Sequence, residues 1–544
     1  MKGSNYLLIR NFLFVHRRLG VRPHVTEEKV PEQAASQLRA DQTRVTIVGA
    51  GISGLTTAYY LQRRLGDEVQ ITVVEGAERL GGKISTRTVA GHPLDTGPDA
   101  LMVRAPVAAA LIEDLGLAGR VVAPNGGGAR IWSRGRLRSL PEGTMFGVPG
   151  GLLPLVRSRL LSPLGLARAA FDLVLPRSRN RAVSGQADPS IGELVRRRMG
   201  AQVFNRLVEP LLGGFHAGRA DLLSAQSTAP DIATLARTHR SLYLGMRRRP
   251  KRAAGVATPS GPMLVTLNSG LGGLVDALEA HLTDATVRRG SSVTAITPAV
   301  TPAVTRAAGV RSHGYRVDLD DGSVIGADVV VLATPAFASA TIVAAAAPQL
   351  GALLGGIEYA NVATVVLAYP RSAFPSDLVG TGFLVPPEEG RLIVGCTWSS
   401  LKWPHLADDN VVLVRCMVGR HGDNRWLTMK DPTLVRRVRD EVHDAMGLVG
   451  KPLEQFVQRW AHGMPQYLVG HEARLDELTE ALTELPGLFL TGSAYRGVGL
   501  ASCIADAERT ADAIVAARST ASAPECAGGL AVGRNLRVPA HREE

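Results

Sequence analysis

A glycine-rich turn near the start of the chain has the residue types and spacing that bind a phosphate group. An apolar run rich in β-branched residues, 44–48, leads into a G-x-G-x-x-G pattern, and a helical pattern follows. Gly49 permits the tight turn, Gly51 lets a pyrophosphate approach the backbone, and Gly54 lets helix and strand pack closely. The first N–H groups of the helix lack intrahelical acceptors and point toward the phosphates. The predicted nucleotide-binding residues of this turn are Gly49, Ala50, Gly51, Ile52, Ser53 and Gly54.

An acidic residue follows at the distance at which a dinucleotide needs one. A second apolar run, 69–74, ends at Glu75, which comes 21 residues after Gly54. An acid about 20 residues beyond the glycine turn binds a ribose hydroxyl. Its charge disfavours a 2′-phosphate, so the pattern argues against NADP and leaves FAD and NAD open at this point.

Two later segments suit the same ligand. Arg79 and Lys83 flank a glycine pair that includes Gly82, so both backbone and cation can reach a diphosphate; the alternative is a solvated loop. Residues 97–99 read Gly-Pro-Asp, a stiff turn that can lie against a planar ring; the alternative is an ordinary turn.

Three stretches of the chain are predicted to build one nucleotide-binding domain. They are 44–100, about 262–335 and 487–517, and each holds short apolar runs of the kind that form buried strands. In the third, Gly492 opens a strand-to-helix turn. The backbone N–H groups of 497–499 then lie at a helix start, which favours negative charge.

The remaining sequence predicts a lobe and a second sheet. Within the middle stretch, one strand is predicted around 287–296. Residues 130–260 are basic and interrupted by Gly and Pro, and they are predicted to be helical. Four strand-like runs punctuated by Pro, Gly and Asp or Asn predict an antiparallel sheet, and they are 363–369, 381–386, 392–398 and 411–418.

Composition limits the class of protein. The 544 residues are 45% hydrophobic, enough for two or three domains. No apolar run reaches the roughly 18 residues of a membrane span. The cysteines have neither C-x-x-C nor metal-ligand spacing, which predicts reduced, structural thiols and argues against a metal site. They are Cys396, Cys416, Cys503 and Cys526.

The charge of the chain indicates an anionic partner. The formal net charge is +12, which reflects either an arginine-rich composition or binding to nucleic acid, a membrane surface or an acidic substrate. Aromatic residues make up only 5%, and no nucleic-acid-binding motif is present in the sequence, so nucleic acid is the least favoured partner.

With these motifs the chain resembles the flavin amine oxidase superfamily. The glycine fingerprint, the R-x-G-G-K segment at 79–83 and the T-G-x-x-x-x-G-V-G element at 491–499 carry that resemblance. Within the superfamily the chain is similar to the oxygen-dependent protoporphyrinogen and coproporphyrinogen III oxidases, and the similarity spans about 44–517. Four segments carry the narrower resemblance: Gly-Pro-Asp at 97–99, E-P-L-L-G-G-F-H-A-G at 209–218, M-P-Q-Y-L-V-G-H at 464–471 and Y-R-G-V-G-L at 495–500.

The resemblance implies FAD as the cofactor and oxidation of a porphyrinogen as the reaction. A hydride would leave a bridge carbon for flavin N5, and oxygen would be reduced to hydrogen peroxide. Coproporphyrinogen III, oxidised to coproporphyrin III in haem biosynthesis, is the favoured substrate, and protoporphyrinogen IX is the alternative. The further predicted FAD-binding residues are Glu75, Gly76, Arg79, Gly82, Lys83, Gly97, Pro98, Asp99, Ala100, Val293, Trp460, Gly492, Gly497, Val498 and Gly499.

The chemistry needs few side chains, so no catalytic triad is expected. Asp99 is named as a flavin-side residue, and no catalytic residue is assigned. Trp460 matches a family position beside the flavin, with core packing as the alternative. Cys503 has a core-like spacing in the last predicted helix, which argues against a covalent flavin link.

Arginines are concentrated where a multiply anionic substrate could use them. Arginine pairs with a carboxylate in a two-pronged way, and porphyrinogen propionates are carboxylates. The alternatives are a solvated basic face and, since apolar residues at 150–155 and 160–166 are interleaved with arginines, peripheral contact with anionic lipid. The arginines are Arg130, Arg134, Arg136, Arg138, Arg157, Arg159, Arg168, Arg177, Arg179 and Arg181.

The predicted fold class is α/β (α+β), a discontinuous Rossmann-like FAD-binding domain with an inserted helical lobe and an antiparallel-sheet substrate domain. A cytoplasmic location is predicted, and a homodimer is left open. A flavin amine oxidase or carotenoid-type desaturase, and a non-catalytic FAD-binding or membrane-docking protein, are the other functions considered. The predicted order is a leader (1–43, disordered or a signal or transit peptide), the first FAD-binding segment (44–129), the basic lobe (130–260), the second FAD-binding segment (261–340), the substrate domain (341–470), the third FAD-binding segment (471–519) and a tail (520–544).

Overall fold

The computed structural model describes residues 42–103, 105–175, 188–248, 263–299, 314–375 and 378–522. The chain divides into two units, Met1–Gln42 and Thr43–Glu544, and all the elements below belong to the second. The predicted leader and tail lie almost entirely outside the described residues.

The described residues contain twenty strands and a larger number of helices, most of them short. The strands are β1 (Thr43–Val48), β2 (Val69–Val74), β3 (Thr86–Val89), β4 (His92–Asp95), β5 (Leu101–Met102), β6 (Val121–Val122), β7 (Ala129–Ser133), β8 (Arg136–Ser139), β9 (Leu264–Leu267), β10 (Ala285–Arg288), β11 (Val293–Pro298), β12 (Tyr315–Leu319), β13 (Val324–Ala327), β14 (Val329–Leu332), β15 (Tyr359–Pro370), β16 (Gly382–Leu384), β17 (Ile393–Trp398), β18 (Val411–Val418), β19 (Glu454–Pro465) and β20 (Leu488–Leu490).

The helices are of three kinds. The α-helices are Ile52–Leu65, Pro106–Asp114, Leu152–Ser158, Pro163–Ala170, Ile191–Met199, Ala201–Val203, Gly214–His216, Ala225–Thr228, Pro230–Thr238, Leu242–Arg248, Gly272–His281, Ala336–Val343, Pro348–Gly355, Ser399–Lys402, Asp431–Met446, His471–Thr483 and Leu500–Ser522. A π-helix runs from Phe204 to Gly213. The 3₁₀ turns are Gly66–Glu68, Ala118–Arg120, Phe171–Leu173, Arg371–Ala373, Pro387–Glu389 and Pro404–Leu406.

A parallel sheet collects strands from three distant stretches of sequence. Its order is β10–β2–β1–β14–β20, and every pairing is parallel. Its strands are rich in Val and Ile because both faces are covered, as parallel sheets require. Helices Ile52–Leu65, Gly272–His281 and Leu500–Ser522 contribute to the core on one face. The predicted class, α/β with a separate antiparallel sheet, is confirmed.

The single strand predicted around 287–296 is wrong. The segment forms two strands in different sheets. β10 is an edge strand of the parallel sheet, and β11 pairs antiparallel with β12. Gly290, with φ +60°, turns the chain between them. Such a backbone conformation costs glycine little, and an extended strand cannot contain it.

The predicted antiparallel sheet is present and larger than expected. Its order is β19–β15–β18–β17–β16–β7–β8, and only the β16–β7 pair is parallel. The β7–β8 hairpin begins the region predicted to be helical, so that prediction is wrong for its first ten residues. Arg134 (φ 52°) and Gly135 (φ 70°) form its turn, as a tight hairpin with two left-handed central residues requires.

The helical lobe has a core of its own, built on helices between Leu152 and Arg248. Asp172 is fully buried there and pairs with Arg198 at 2.7 Å, while Ser241 donates a hydrogen bond to the same carboxylate. Among the helices of the described residues, none combines the length and apolar character needed to cross a membrane.

Candidate functional site

The first glycine turn leads from the end of β1 into helix Ile52–Leu65. Gly49 has φ +100°, and its N–H donates to the Val74 carbonyl at 2.7 Å. A Cβ on Gly54 would lie 2.0 Å from the Gly49 carbonyl oxygen. Gly54 is therefore required by packing within the protein, because any side chain would separate the helix from the turn.

Gly51 differs from Gly54 in its surroundings. A Cβ built on Gly51 would meet no protein atom within 4 Å, so packing within the chain does not require glycine there. The N–H groups of the first helical turn have no intrahelical acceptor. Open space beside free N–H donors at a helix start fits a pyrophosphate.

Glu75 lies beside the same turn. One carboxylate oxygen accepts from the Ala50 N–H at 2.7 Å and the other from the Ala77 N–H at 2.9 Å. The Glu75 carbonyl accepts from Ser291 N–H at 3.0 Å, which brings the start of β11, including Val293, next to the acid. Gly76 lies against Ser292, whose Oγ is 2.9 Å from a Cβ built on that glycine.

The R-x-G-G-K loop is joined to the turn, and Arg79 stabilises that loop. The Gly81 N–H donates to the Ala50 carbonyl at 2.8 Å. The Arg79 guanidinium donates to the carbonyls of Leu80 (2.8 Å) and Ile84 (2.5 Å) and also to that of Gly82. Its donors are thus used inside the loop, whereas the sequence predicted that they reach a diphosphate.

The antiparallel sheet holds the Gly-Pro-Asp turn through Asp99. Lys402 Nζ lies 2.8 Å from Asp99 Oδ2, and Arg415 Nη1 lies 3.5 Å from the same oxygen. Arg415 also donates to the Gly97 carbonyl. Asp99, Lys402 and Arg415 are called the Asp99 clamp, and it joins the turn to β18 and to the helix after β17.

The clamp keeps Asp99 ionised. Burial raises the pKa of its carboxyl, but the charges of Lys402 and Arg415 outweigh burial and hold the pKa well below its usual range. A carboxylate with so low a pKa is a poor proton acceptor at neutral pH. Asp99 therefore acts as an ion-pair partner at the predicted flavin side.

Two further contacts fix the same turn. Trp460 Nε1 donates to the Thr96 carbonyl at 3.2 Å, so this predicted flavin neighbour lies beside Gly97. A Cβ on Gly97 would lie 1.9 Å from the Lys83 carbonyl oxygen. The turn is thus packed between the R-x-G-G-K loop and β19, with Pro98 and Ala100 partly buried beside it.

The last strand-to-helix turn lies against the first. Gly492 N–H donates to Asp506 at 3.1 Å, and Gly497 N–H donates to the Tyr467 hydroxyl at 2.7 Å. A Cβ on Gly499 would meet nothing within 4 Å, as at Gly51. Gly499 and the partly buried Val498 directly precede helix Leu500–Ser522.

Lys83 is a partly buried cation in the R-x-G-G-K loop. Its Nζ lies 5.5 Å from the centre of the Tyr359 ring, and no ion pair of Lys83 is found within the residues that the structure describes. Burial lowers the pKa of its amine to about 8. Cys503, which contacts Ser53, is also buried, as predicted for a core residue.

Lys83→Met is expected to stabilise the protein before FAD is added. Folding lowers the pKa of the amine from its ordinary value of 10.5 to about 8. Burying the charged amine therefore destabilises the folded state fully below pH 8, and this cost shrinks as pH rises toward 10.5. Removing the charge should add roughly 2 kcal/mol to the free energy of unfolding at neutral pH. Urea unfolding of FAD-free protein measures this, and a gain that did not shrink above pH 8 would contradict the assignment.

Most arginines of the basic lobe are engaged by the protein or exposed. Arg168 donates to the carbonyls of Arg196, Arg197 and Arg198 and so caps a helix C-terminus. Arg134 donates to the Arg159 and Leu160 carbonyls. Arg177, Arg179 and Arg181 lie outside the described residues, and the exposed ones are Arg134, Arg136, Arg157, Arg159 and Arg168.

Sequence reasoning missed the residues that position the predicted ones. These residues are Lys402, Arg415, Tyr467 and Asp506, and three of them, Lys402, Arg415 and Asp506, carry no local motif that marks a site. The one usable indication was Tyr467, which lies in the M-P-Q-Y segment already associated with a family. The others are recognised only from contacts across the fold.

Taken together, these residues fit FAD. Gly51 and Gly499 leave open space at two helix starts, and Glu75 lies at the end of β2. The same arrangement of strand, turn, helix and acid binds dinucleotides in other Rossmann-like folds. The roles of single residues stay predictions.

Comparisons with known proteins agree with this fit. The family described as "Flavin containing amine oxidoreductase" matches residues 52–515. Coproporphyrinogen III oxidase of Bacillus subtilis (strain 168) is 34% identical over 468 residues, which are 85% of this chain and 95% of that protein. Protoporphyrinogen oxidase of Bos taurus is 30% identical over 491 residues, 86% of this chain and 97% of that protein. A crystal structure from Exiguobacterium sp. 255-15, provisionally named a protoporphyrinogen oxidase, has 31% identity and a TM-score of 0.74, covering 87% of this chain and 98% of that one.

Proposed function

The chain belongs to the flavin containing amine oxidoreductase family, and from that premise we propose that it oxidises coproporphyrinogen III to coproporphyrin III. It is an oxidoreductase whose cofactor is FAD. The substrate is inferred from the 34% identity to the B. subtilis coproporphyrinogen III oxidase over nearly the whole length of that protein. Molecular oxygen is the proposed final electron acceptor, with hydrogen peroxide as product.

The chain's own residues bind and orient the reactants. FAD, when bound, supplies the acceptor for a hydride. The turn at Gly51 and the helix start at Leu500 offer backbone N–H groups to negative charge. The Asp99 clamp fixes the turn at Gly97 against the antiparallel sheet, so the two reactants meet in one geometry. No side chain is assigned a proton transfer.

The net charge of +12 suits the proposed substrate. Coproporphyrinogen III has four propionates, and protoporphyrinogen IX has two. A positive field attracts the tetra-anion more strongly. Protoporphyrinogen IX is the second candidate substrate, because the bovine relative and the Exiguobacterium structure are both named as protoporphyrinogen oxidases.

Turnover of both porphyrinogens by the purified FAD-loaded protein tests this proposal. Porphyrin fluorescence should rise faster with coproporphyrinogen III, and hydrogen peroxide should accumulate in proportion. Faster turnover of protoporphyrinogen IX would make that compound the substrate. A panel of amines should give no peroxide, since the proposal excludes amine oxidation.

We also propose that the lobe contacts a membrane surface that carries anionic lipid. Apolar side chains are exposed on helices Leu152–Ser158 and Pro163–Ala170 and on the segment that follows them. The exposed Arg157, Arg159 and Arg168 lie on or next to the same helices. Apolar insertion with basic neighbours is the pattern of a peripheral contact. The exposed fractions are Leu153 58%, Val156 50%, Leu164 83%, Phe171 58% and Val174 65%.

The double substitution Leu164→Asp with Phe171→Asp is expected to abolish sedimentation with phosphatidylglycerol-containing vesicles. The wild-type protein should sediment with these vesicles and not with vesicles of phosphatidylcholine alone. Val449→Asp is the matched control, because Val449 is 65% exposed on another segment of the chain. Equal loss in Val449→Asp, or no wild-type sedimentation, would contradict the proposed surface.

A further inference from the structure

The segment that follows β19 is bound to the helical lobe through its backbone. Its residues 466–471 read Q-Y-L-V-G-H. The Tyr467 carbonyl accepts from the Ser224 N–H at 2.8 Å, and the Val469 N–H donates to the Leu222 carbonyl at 3.1 Å. The position of the Tyr467 backbone is therefore fixed independently of the contacts that its side chain makes.

The side chain of Tyr467 contacts the turn between β20 and helix Leu500–Ser522. Residues 493–497 are called the 493–497 turn. The buried Tyr467 hydroxyl donates to the Ser493 carbonyl at 2.7 Å and accepts from the Gly497 N–H at 2.7 Å. Burial raises the pKa of this phenol well above its ordinary value, so the hydroxyl keeps the proton that it donates.

His471 holds the same turn at a third point. Its ring stacks on the Tyr467 ring, with the ring centres 4.0 Å apart and the planes 11° from parallel. Its Nε2 lies 3.0 Å from the Tyr495 carbonyl oxygen, and because a carbonyl oxygen only accepts, this nitrogen carries the proton. Burial lowers the pKa of the His471 imidazole, so the ring is neutral at neutral pH and this is its one N–H.

The 493–497 turn depends on such outside contacts for its conformation. Gly497 has φ +130°, a backbone conformation that glycine adopts readily and other residues avoid. Glycine also loses more conformational freedom on folding than any other residue. The Tyr467 hydroxyl opposes that loss, because it gives the Gly497 N–H an acceptor in one direction only.

The turn leads directly into a helix start with free donors. Val498 and Gly499 precede helix Leu500–Ser522, and no acceptor for either N–H group is found within the part of the chain that the structure describes. The Gly497 N–H is not free in this way, because it donates to Tyr467. Free N–H groups at a helix start stabilise negative charge.

We propose that Tyr467, supported by His471, is a positioning residue that raises the reduction potential of the bound flavin. The inference rests on the FAD of the proposed function and not on the identity of its porphyrinogen. A hydride carries one proton and two electrons, so the flavin gains one negative charge on reduction. Tyr467 holds the N–H groups of Val498 and Gly499 where they can meet that charge, which tightens binding of the reduced cofactor relative to the oxidised one.

Tyr467→Phe is expected to lower the midpoint potential of the bound flavin. The variant keeps the ring that stacks on His471, but the Gly497 N–H loses its acceptor and the Ser493 carbonyl loses its donor. Affinity for reduced flavin should fall roughly tenfold relative to that for oxidised flavin, which corresponds to about 30 mV for two electrons. Reduction of the FAD-loaded full chain against dyes of known potential, without porphyrinogen, measures this.

Tyr315→Phe is the matched control. Tyr315 is also buried, and its hydroxyl donates to the Pro486 carbonyl at 3.0 Å, outside the 493–497 turn. This variant should lose stability in urea, because it too gives up a hydrogen bond to a backbone carbonyl, while its flavin potential stays at the wild-type value. An equal fall in potential in both variants would overturn the role of Tyr467.

His471→Phe tests the same turn through its third contact. It keeps a ring beside Tyr467 and removes the N–H that binds the Tyr495 carbonyl, so the potential should fall in the same direction and by less. An unchanged potential in Tyr467→Phe would show that the hydroxyl contributes only to stability and would overturn the proposal. If Tyr467→Phe does not fold, an unchanged potential in His471→Phe overturns it.

The dye titration also separates this inference from the proposed function. A wild-type protein that is reduced by the dyes but oxidises neither porphyrinogen would contradict the proposed function. The difference in potential between wild type and Tyr467→Phe would still decide whether Tyr467 positions the helix start beside the flavin.

Discussion

Gly51→Val is expected to give a protein that folds normally but does not retain FAD. A Cβ at this position meets no protein atom within 4 Å, so the new side chain starts in open space. It would occupy the space through which a pyrophosphate approaches the backbone. We expect FAD affinity to fall at least roughly 100-fold, about 2.7 kcal/mol, as measured by flavin fluorescence on titration of FAD-free protein.

Gly54→Ala is the matched comparison. A Cβ there would lie 2.0 Å from the Gly49 carbonyl oxygen, so this variant should lose stability even without FAD. The contrast separates a glycine required by a ligand from one required by packing. If Gly51→Val bound FAD as tightly as the wild type, the cofactor would lie elsewhere in the chain.

Asp99→Asn should destabilise the protein by about 2–3 kcal/mol at neutral pH, because it leaves Lys402 and Arg415 without their counter-charge. The folded pKa of Asp99 lies below its ordinary value. Its contribution is therefore complete above the ordinary carboxyl pKa of about 3.9 and is lost as pH falls through the folded pKa. The difference between wild type and variant should shrink on acidification, as urea unfolding across pH will measure.

The control for this prediction is Asp431→Asn. Asp431 pairs with Arg459 at 2.8 Å, but 55% of its side chain is exposed, so the loss should be below about 1 kcal/mol. Equal losses in the two variants would show that Asp99 is an ordinary surface partner and that the clamp does not exist in solution.

The elements of the fold that depend on local sequence were predictable. The turn from Gly49 to Gly54 and the acid at Glu75 lie within one strand–helix–strand unit, so their spacing alone specifies the geometry. The β7–β8 hairpin was not predictable in this way, because Arg134 adopts a left-handed conformation that usually marks Asn, Asp or Gly.

The Asp99 clamp could not be read from the sequence. Lys402 is 303 residues from Asp99, and Arg415 is 318 residues from Gly97. Nothing in the local pattern of either cation distinguishes it from a solvated one. The same holds for Arg168, whose place in a basic run suggests a ligand or a surface, although its guanidinium caps a helix.

The most direct test of the account is to mix the FAD-loaded protein with coproporphyrinogen III in the absence of oxygen. We predict that the visible flavin absorbance bleaches, and that admitting air restores it while porphyrin absorbance appears. Flavin absorbance that stays unchanged, with the porphyrinogen oxidised no faster than in free FAD, would contradict the claim that this chain passes hydrogen from a porphyrinogen to its cofactor.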